Sequence, residues 1–285
     1  MDSNQLIEYL QVRKTMVDTA LNAYLPSCGT EPKILHEAMR HAVFSGGKRL
    51  RPIVALAVAD LSRAQPETVL DAACGIELVH AASLILDDLP CMDDATERRG
   101  HPCLHIKFGE ASALLAAMAL LSSAFELAAR NSHEPHHSVE LLEHAVGTRG
   151  LVYGQHLDLH YTQAKPTLEV LEQIHHLKAG ALFLAAITIP AHILGMNEND
   201  LGLLKKFAQK VGLAFQISDD LLDEQTPLED DGKSTFTAFL GRNGAFERMN
   251  TLIDEAIITL DSFGAPADPL RLLAQLVRKR VEPRC

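Results

Sequence analysis

The chain has 285 residues, a length that suits one large domain or two small ones. Hydrophobic residues make up 47% of it and charged residues 22%, which is the balance of an ordinary soluble globular protein. The net charge of -11 argues against general nucleic-acid binding, which needs a basic surface, but it permits a site for cations.

The N-terminus and the cysteines indicate a protein of a reducing compartment. The first residues, MDSNQLIEYLQVRK, are polar and amphipathic and contain no apolar core of a signal peptide. The five cysteines are scattered, without CxxC or Cys/His ligand spacing, and Cys285 carries no prenylation box. We therefore predict free thiols and a cytoplasmic location.

Helical periodicity runs along the whole chain, and we find no convincing strand alternation. Turn and cap residues interrupt it in segments such as SGGKRLRP (45–52) and QTPLEDDG (225–232). No linker is long or polar enough to mark a domain boundary, so we predict a single all-α domain over residues 1–285. The predicted helices cover residues 4–24, 31–44, 51–62, 67–89, 110–130, 137–162, 168–194, 199–223, 235–240, 243–262 and 267–281.

The stretch AGALFLAAITIPAHILGM, residues 179–196, contains no Asp, Glu, Lys or Arg and approaches the length of a membrane span. It also contains Pro190 and His192, and helices with polar faces flank it. The central helices are apolar in general, which is expected of helices that are buried on most sides in a large bundle. We therefore predict a core helix here and no membrane insertion.

Four carboxylates follow a buried-looking helix in LILDDLPCMDDATERRG, residues 84–100. Pro90 disfavours helix at Leu89, so we expect the chain to bend there and to bring Asp93 back toward Asp87. Carboxylates at a helix C-terminus oppose the macrodipole, and hard oxygen ligands suit Mg²⁺, which would compensate them. The alternative is a solvated acidic helix terminus.

A second acidic cluster, GLAFQISDDLLDE at residues 212–224, also ends an apolar helix. Asp219 and Asp223 have i, i+4 spacing, so on a helix they share one face, about 40° apart around the axis. Like charges at this spacing repel each other, which again favours a bound cation. If the two helices face each other, Mg²⁺ ions between their carboxylates would bridge to a diphosphate.

Basic residues suited to binding a diphosphate lie beside these clusters. The segment GGKRLRP (46–52) places three of them after a glycine pair, although it lacks the GxxxxGK[ST] pattern of a P-loop. Arg offers bidentate contacts to phosphate, and Lys offers a point charge. Each one alone is typical of a surface charge, but together they indicate a diphosphate site. The residues are Lys48, Arg49, Arg51, Arg98, Arg99, Lys178 and Lys233.

Taken together, these motifs resemble those of the polyprenyl synthetase family, the trans-isoprenyl diphosphate synthases. DDLPCMDD matches the first aspartate-rich motif of the family in its long form, and DDLLD matches the second. The resemblance covers roughly residues 30–260 and implies an isoprenoid synthase-like bundle of about ten helices around a central apolar cavity. The other matching segments, in the order of the family, are GGKRLRP, RRG, GQHLDL, HHLKAGAL, FQISDD and GKSTF.

The resemblance implies a homodimeric prenyltransferase that joins isopentenyl diphosphate head-to-tail to dimethylallyl, geranyl or farnesyl diphosphate. It also implies Mg²⁺ as the cofactor, at about three ions per active site. The implied metal ligands are Asp87, Asp88, Asp93, Asp219 and Asp223. The implied allylic diphosphate site comprises Arg98, Lys178, Gln216 and Lys233, and the implied isopentenyl diphosphate site comprises Gly47, Lys48, Arg51, His80 and Arg99.

Product length is expected to depend on residues below the metal site. Ala82 and Ser83 precede Asp87 by about one helical turn and are small, so they leave room for a long tail. On the next helix, Met118 stands where many relatives carry Asp, and it is either a length determinant or a core residue. These segments look closest to bacterial carotenoid-pathway synthases. We therefore predict geranylgeranyl diphosphate as the product, with farnesyl diphosphate as the alternative.

Two segments depart from the family pattern. Relatives usually carry a further lysine in the loop after the second motif, where this chain has only Lys233, and a Thr where this chain has Ala179. Neither change removes an implied metal ligand. A terpene cyclase is disfavoured because DDLLD and GGKRLRP are both intact. A non-catalytic partner subunit is also disfavoured, because such subunits commonly lose one aspartate motif.

Overall fold

The computed structural model describes residues 3–130, 132–161, 166–223 and 235–281, and over these residues the predicted all-α class is confirmed. A π-helical turn at His176–Gly180 and a hairpin of two-residue strands, β1 (Glu97–Arg98) and β2 (His101–Pro102), accompany the α-helices. The helices are α1 (Ser3–Tyr24), α2 (Lys33–Phe44), α3 (Leu50–Leu61), α4 (Glu67–Asp87), α5 (Leu104–Phe108), α6 (Glu110–Ala129), α7 (Pro135–Val146), α8 (Leu151–Tyr161), α9 (Leu168–His175), α10 (Ala181–Ile193), α11 (Glu198–Asp223), α12 (Phe236–Ile258) and α13 (Asp268–Lys279).

The core of the bundle is built on α4, which packs most extensively against α6 and also contacts α3 and α10. Gly75 permits the close approach of α4 to α6, because a Cβ at this position would lie 2.8 Å from the Ala124 carbonyl oxygen. Helix α10 is buried along nearly its whole length, with only Leu184 and His192 half-buried. The prediction that the apolar stretch 179–196 contributes a core helix is therefore confirmed.

Three helical stretches are long and apolar enough to cross a membrane by length and composition alone, Glu67–Asp87, Glu110–Ala129 and Leu168–Ile193. In the first and the third, 67% of the most apolar window is buried inside the bundle, so packing accounts for its apolar character. In α6 only 39% of that window is buried. Helix α6 therefore presents an apolar face that the described part of the chain leaves exposed.

Several element boundaries differ from the prediction for local reasons. The predicted helix 137–162 is two helices, because Gly150 lies where a Cβ would be 2.2 Å from the Ala145 carbonyl oxygen. The predicted helix 168–194 contains the π-helical turn, and α12 spans both segments predicted over 235–262, with a kink at Gly241, whose φ is 68°. The short hairpin was not predicted, since two-residue strands leave no alternation to detect.

A buried ionic cluster fastens the loop between α2 and α3. Arg49 is only 5% exposed, and its Nε donates to Asp18 Oδ1 at 2.7 Å. Its Nη1 donates to Glu77 Oε1 at 2.9 Å, and its Nη2 donates to the Val43 carbonyl oxygen at 2.7 Å. One guanidinium thus joins α1, the end of α2 and α4. Loss of both carboxylates would leave the buried Arg49 charge uncompensated, so these contacts fix the loop that carries Gly46 to Lys48.

We predict that Gly75→Ala lowers the free energy of unfolding by about 1–3 kcal/mol, because the added methyl group forces α4 away from α6. Urea denaturation followed by circular dichroism measures the change. Gly202→Ala is the matched control, since a Cβ on Gly202 in α11 would enter open space. Alanine there raises stability by about 0.4–1 kcal/mol. Equal effects at both sites would contradict the close packing of α4 on α6.

Candidate active site

A cavity of about 900 Å³ opens where α3, α4, α8, α11 and α13 converge. It contains residues from both acidic clusters and from the basic segments, so the folded chain brings together most of the predicted site. The lining also includes apolar side chains such as Leu151 and Leu182. The predicted site residues that line the cavity are Gly47, Lys48, Arg51, His80, Ser83, Asp87, Arg98, Arg99, Lys178, Gln216 and Asp219.

The first acidic wall of the cavity is formed at the end of α4. Asp87 is the last residue of the helix, and the Asp93 N–H donates to the Asp87 carbonyl oxygen at 2.9 Å. The predicted bend beyond Leu89, which returns Asp93 to Asp87, is confirmed by this contact. Burial raises the pKa of Asp87, and the negative charge of Asp93 adds to that effect against the opposing Lys178 ammonium group. A cation here would stabilise both ionised carboxylates.

Asp88, which is predicted as a metal ligand, is paired with a guanidinium group. Its residue is 4% exposed, and its Oδ1 accepts from Arg98 Nε at 2.7 Å and Arg98 Nη2 at 2.5 Å. It lines a smaller cavity beside the hairpin rather than the main one. Since Asp88 lies next to Asp87 on the helix, its side chain projects in a different direction. The structure therefore pairs Asp88 with Arg98, which itself lines the main cavity.

The second acidic wall is the C-terminal end of α11, where Asp219 lines the cavity. Asp219 Oδ1 accepts from Arg280 Nη2 at 2.6 Å, and Arg280 also donates to Ser218 and stacks on Phe215. Burial raises the pKa of Asp219, although Arg280 opposes this. Asp220 instead accepts from the Phe236 N–H at 2.7 Å, which ties α11 to the start of α12.

Basic residues complete the lining of this cavity, and we call Lys48, Arg51, His80 and Arg99 the basic rim. The Arg51 guanidinium lies 4.9 Å from the centre of the Phe183 ring, and its buried Nε has no hydrogen-bond partner among the described residues. Arg99 donates from Nη1 to the Gly46 carbonyl oxygen at 3.1 Å. Burial, followed by the nearby guanidinium groups, holds the pKa of His80 well below its usual range. At neutral pH the His80 ring is therefore an uncharged hydrogen-bonding group.

Gly47 is required by the guanidinium groups around it. A Cβ at this position would lie 2.9 Å from Nη1 of both Arg49 and Arg99. The φ of Gly47 is 120°, a conformation that side-chain-bearing residues rarely adopt. The glycine in GGKRLRP therefore allows the loop to pass beside two cations and to present its backbone to the cavity.

Lys178 is positioned by the π-helical turn between α9 and α10. Its Nζ donates to Asp158 Oδ2 at 2.7 Å, which joins the turn to α8. Burial opposes the charged form of Lys178, but the carboxylates of Asp87 and Asp158 outweigh it and raise the pKa. Helix α8 approaches the turn closely at Gly154, where a Cβ would lie 2.4 Å from the Lys178 backbone nitrogen. Lys178 thus carries a firmly held positive charge beside the first acidic wall.

The remaining predicted residues are placed unequally. The Gln216 amide lies 3.5 Å from Nδ1 of His175, and Ser83 lines the cavity. Ala82 is fully buried behind the cavity, and Met118 is 66% exposed on the outer face of α6. Neither Ala82 nor Met118 contributes to the lining within this chain. Lys233 lies outside the described residues.

Four further cavity or near-cavity groups were missed from the sequence. Arg280 carried no motif signal, because it lies far along the chain from Asp219. Glu77 is a single acidic residue within the apolar sequence of α4, so no motif drew attention to it. Gln155 and Asp158 stand inside the GQHLDL segment, which was matched without a role. Their spacing of three residues, which places them near one face of a helix, is the sequence signal that could have found them. The pairing of Asp158 with Lys178 appears only in the folded chain.

The donor set suits Mg²⁺ bound together with a diphosphate. Among the residues that the structure describes, no three His, Cys, Asp or Glu side chains converge on one point. Each acidic wall instead offers separate carboxylates, against which Lys178 and Arg280 lie. Mg²⁺ usually keeps several waters and is held by one or two carboxylates plus substrate phosphates rather than by a protein cage. The residues present therefore fit Mg²⁺ shared with a substrate.

Comparison with known proteins agrees with this geometry. The family model described as Polyprenyl synthetase matches residues 32–238. The chain is 38% identical to geranylgeranyl diphosphate synthase of Cyanophora paradoxa over 96% of both chains. It is 36% identical to farnesyl diphosphate synthase of Haemophilus influenzae over 96% of this chain and 98% of that one.

A solved structure supports the same assignment. An FPP/GFPP synthase from Zymomonas mobilis matches with a TM-score of 0.89 at 36% identity, covering 97% of this chain and 100% of that one. The fold is thus shared over nearly the whole length. The chain belongs to the polyprenyl synthetase family of prenyltransferases.

Proposed function

We propose that this protein condenses isopentenyl diphosphate with an allylic diphosphate and releases geranylgeranyl diphosphate. The observation that carries the proposal is that carboxylates and basic groups line one cavity. Asp87 of α4 and Asp219 of α11 line it together with the basic rim and the GGKRLRP loop. One cavity thus offers two diphosphate sites of different chemistry.

The allylic diphosphate is proposed to lie between the acidic walls. Asp87, Asp93, Asp219 and Asp223 would hold Mg²⁺, about three ions, and the bound metal would neutralise the charge of the leaving diphosphate. Lys178 and Arg98 contact the diphosphate oxygens, and Lys233 is assigned the same role from the sequence alone. Asp88 is assigned to orient Arg98, since its carboxylate is occupied by that guanidinium.

Isopentenyl diphosphate is proposed to bind the basic rim without a metal. Lys48 comes from the loop before α3, Arg51 from α3 and Arg99 from the turn of the hairpin. The Nε of Arg51, which has no partner among the described residues, and the uncharged ring of His80 can donate to phosphate oxygens. Because Arg49 is already committed to Asp18 and Glu77, it holds the loop in place rather than binding the substrate.

The reaction follows from these positions. The C–O bond of the allylic diphosphate breaks, and its electron pair leaves on the diphosphate oxygen beside Lys178. The double bond of isopentenyl diphosphate, held at the rim, attacks the allylic carbon and forms the new C–C bond. A proton is then lost from the adjacent carbon, and the departed diphosphate is the nearest base. The apolar side chains of Leu151 and Leu182 exclude water that would quench the cation.

Product length is proposed to be twenty carbons, with fifteen as the alternative. Ser83 is a small residue that lines the cavity about one turn before Asp87, so its own side chain leaves space there. The name of the Cyanophora relative supports twenty carbons, and that of the Haemophilus relative supports fifteen.

We also propose that the enzyme is a homodimer. The exposed face of α6 carries Leu114, Leu115 and Met118, which are 44%, 55% and 66% exposed. A second copy of the chain would cover these side chains, and this is the role we assign to Met118. The cytoplasm is the proposed location, in keeping with Cys28, Cys74, Cys91 and Cys103 as free thiols in the described chain.

Product analysis of the purified protein tests the proposed function. Isopentenyl diphosphate and Mg²⁺ are combined with dimethylallyl, geranyl or farnesyl diphosphate in turn, and the dephosphorylated products are sized by chromatography. We expect a twenty-carbon alcohol, and no product when a chelator removes Mg²⁺. A fifteen-carbon limit would favour the alternative, and no product from any primer would favour a partner-dependent subunit.

We predict that Asp87→Asn lowers kcat by about 100-fold or more, because one acidic wall loses a charged ligand. Stopped-time assays with saturating Mg²⁺ measure the change. The unfolding temperature of this variant is expected to remain unchanged or to rise, because burial disfavours the charged carboxylate that the substitution removes. Asp94→Asn is the matched control, because Asp94 is exposed in the same loop and Asn tolerates its φ of 50°. Equal losses in both variants would contradict the assignment.

We predict that Ser83→Tyr shortens the product, because the ring enters the cavity below Asp87. Chromatography of the products measures the chain length. Ala82→Tyr is the comparison: Ala82 is fully buried, so the ring there meets packed side chains and lowers the unfolding temperature instead. A shorter product from the stable Ala82 variant, with an unchanged product from the Ser83 variant, would overturn this assignment.

A further inference from the structure

One buried amide in the cavity wall has no role in the proposed function. Gln155 is 9% exposed and lines the cavity, and its Oε1 has no hydrogen-bond partner among the described residues. Its Nε2 donates to the Met92 sulfur at 3.9 Å. Buried acceptors are nearly always satisfied, because leaving one unpaired destabilises the fold. An unpaired carbonyl oxygen on a side chain that lines a cavity therefore points to a ligand with positive charge or a donor.

Contacts with the π-helical turn hold α8, which carries Gln155, in place. Gly154 lets α8 pass against the π-helical turn, with room for no side chain beside the Lys178 backbone. One turn before Gln155 on the same face lies Leu151, and about one turn after it lies Asp158, which is paired with Lys178. Along α8 the wall therefore changes from apolar, through a neutral amide, to an ion pair.

This order places Gln155 at the boundary between two parts of the substrate, an argument that rests on the proposed function. The diphosphate lies at Lys178, and the hydrocarbon tail lies along Leu151. The carbon that joins them must lie between. At 1.5 Å rise per residue, Gln155 stands about 6 Å along the helix axis from Leu151 and about 4.5 Å from Asp158. The amide oxygen is thus level with the carbon that becomes positively charged.

We propose that Gln155 is a further catalytic residue whose amide oxygen stabilises the developing allylic cation. As the C–O bond breaks, the electron pair leaves on the diphosphate and the allylic carbons gain positive charge. The Gln155 oxygen meets this charge as a fixed dipole and takes up neither a proton nor electrons. A preorganised dipole in a water-poor site costs no reorganisation at the moment of reaction. The same oxygen would repel a diphosphate oxygen, so the carbonyl end of the amide does not contact the diphosphate.

Gln155→Met tests this proposal, because methionine matches the shape of glutamine without the dipole. Two probes are titrated by calorimetry with Mg²⁺ present. The first is a tertiary-ammonium analogue of the geranyl cation, added together with inorganic diphosphate. The second is geranyl thiolodiphosphate, whose hydrocarbon tail carries no charge. We expect the ammonium analogue to bind about tenfold more weakly to the variant, which is 1.4 kcal/mol, and the thiolodiphosphate to bind unchanged. We also expect kcat to fall about 30-fold with the KM for the allylic substrate unchanged.

The unfolding temperature separates this role from a structural one. Removing an unpaired buried oxygen leaves the unfolding temperature of Gln155→Met unchanged or higher, whereas a structural glutamine would lower it. Gln173→Met is the matched control, since Gln173 is exposed on α9 away from the cavity lining, and it leaves all five readouts unchanged.

Two results would overturn the proposal. Either both probes bind equally more weakly to Gln155→Met, or neither binding constant changes. If the wild-type protein forms no prenyl product with any primer, the proposed function fails first, and the probe titrations then have no basis. If the wild type is active and the two proteins bind the ammonium analogue equally, only the assignment of Gln155 fails.

Discussion

Repulsion between carboxylates at the ends of two helices is the constraint on which the site depends. α4 and α11 both end in aspartates, where the helix macrodipole is also negative, and both ends face one cavity. Cationic side chains from distant segments reduce this repulsion: Lys178 lies beside Asp87, and Arg280 donates to Asp219. A bound cation with diphosphate removes the same repulsion more completely. The walls are therefore stable enough to form without substrate and are poised to bind metal with it.

Most of the fold was predictable because its helices are long and strongly apolar. α4 and α10 carry enough apolar residues to identify buried helices without any neighbour. The errors lie where single residues decide the backbone. The break before α8 depends on the approach of Gly150 to the Ala145 carbonyl, and the π-helical turn depends on contact with Gly154. Such contacts arise only in the folded chain, so no local pattern announces them.

The site was predictable as motifs but not as contacts. Spacing placed Asp87 and Asp93 together, since Pro90 dictates a bend between them. It did not show that Asp88 turns away to Arg98, because neighbouring helix positions were treated as one cluster. The spacing also did not reveal Gln155, whose side-chain oxygen has no hydrogen-bond partner among the described residues. Single polar residues acquire a role from burial and from partners far along the chain, and neither is written in a local pattern.

The two diphosphate sites differ in sign, and this difference is the central claim to test. Isopentenyl diphosphate and unreactive geranyl thiolodiphosphate are titrated separately into the wild-type protein by calorimetry, once with Mg²⁺ and once with a chelator. We expect isopentenyl diphosphate to bind the basic rim in both conditions, and the thiolodiphosphate to bind the acidic walls only with Mg²⁺. Equal binding of the thiolodiphosphate without metal would contradict the claim that the carboxylates of α4 and α11 form a metal-dependent diphosphate site.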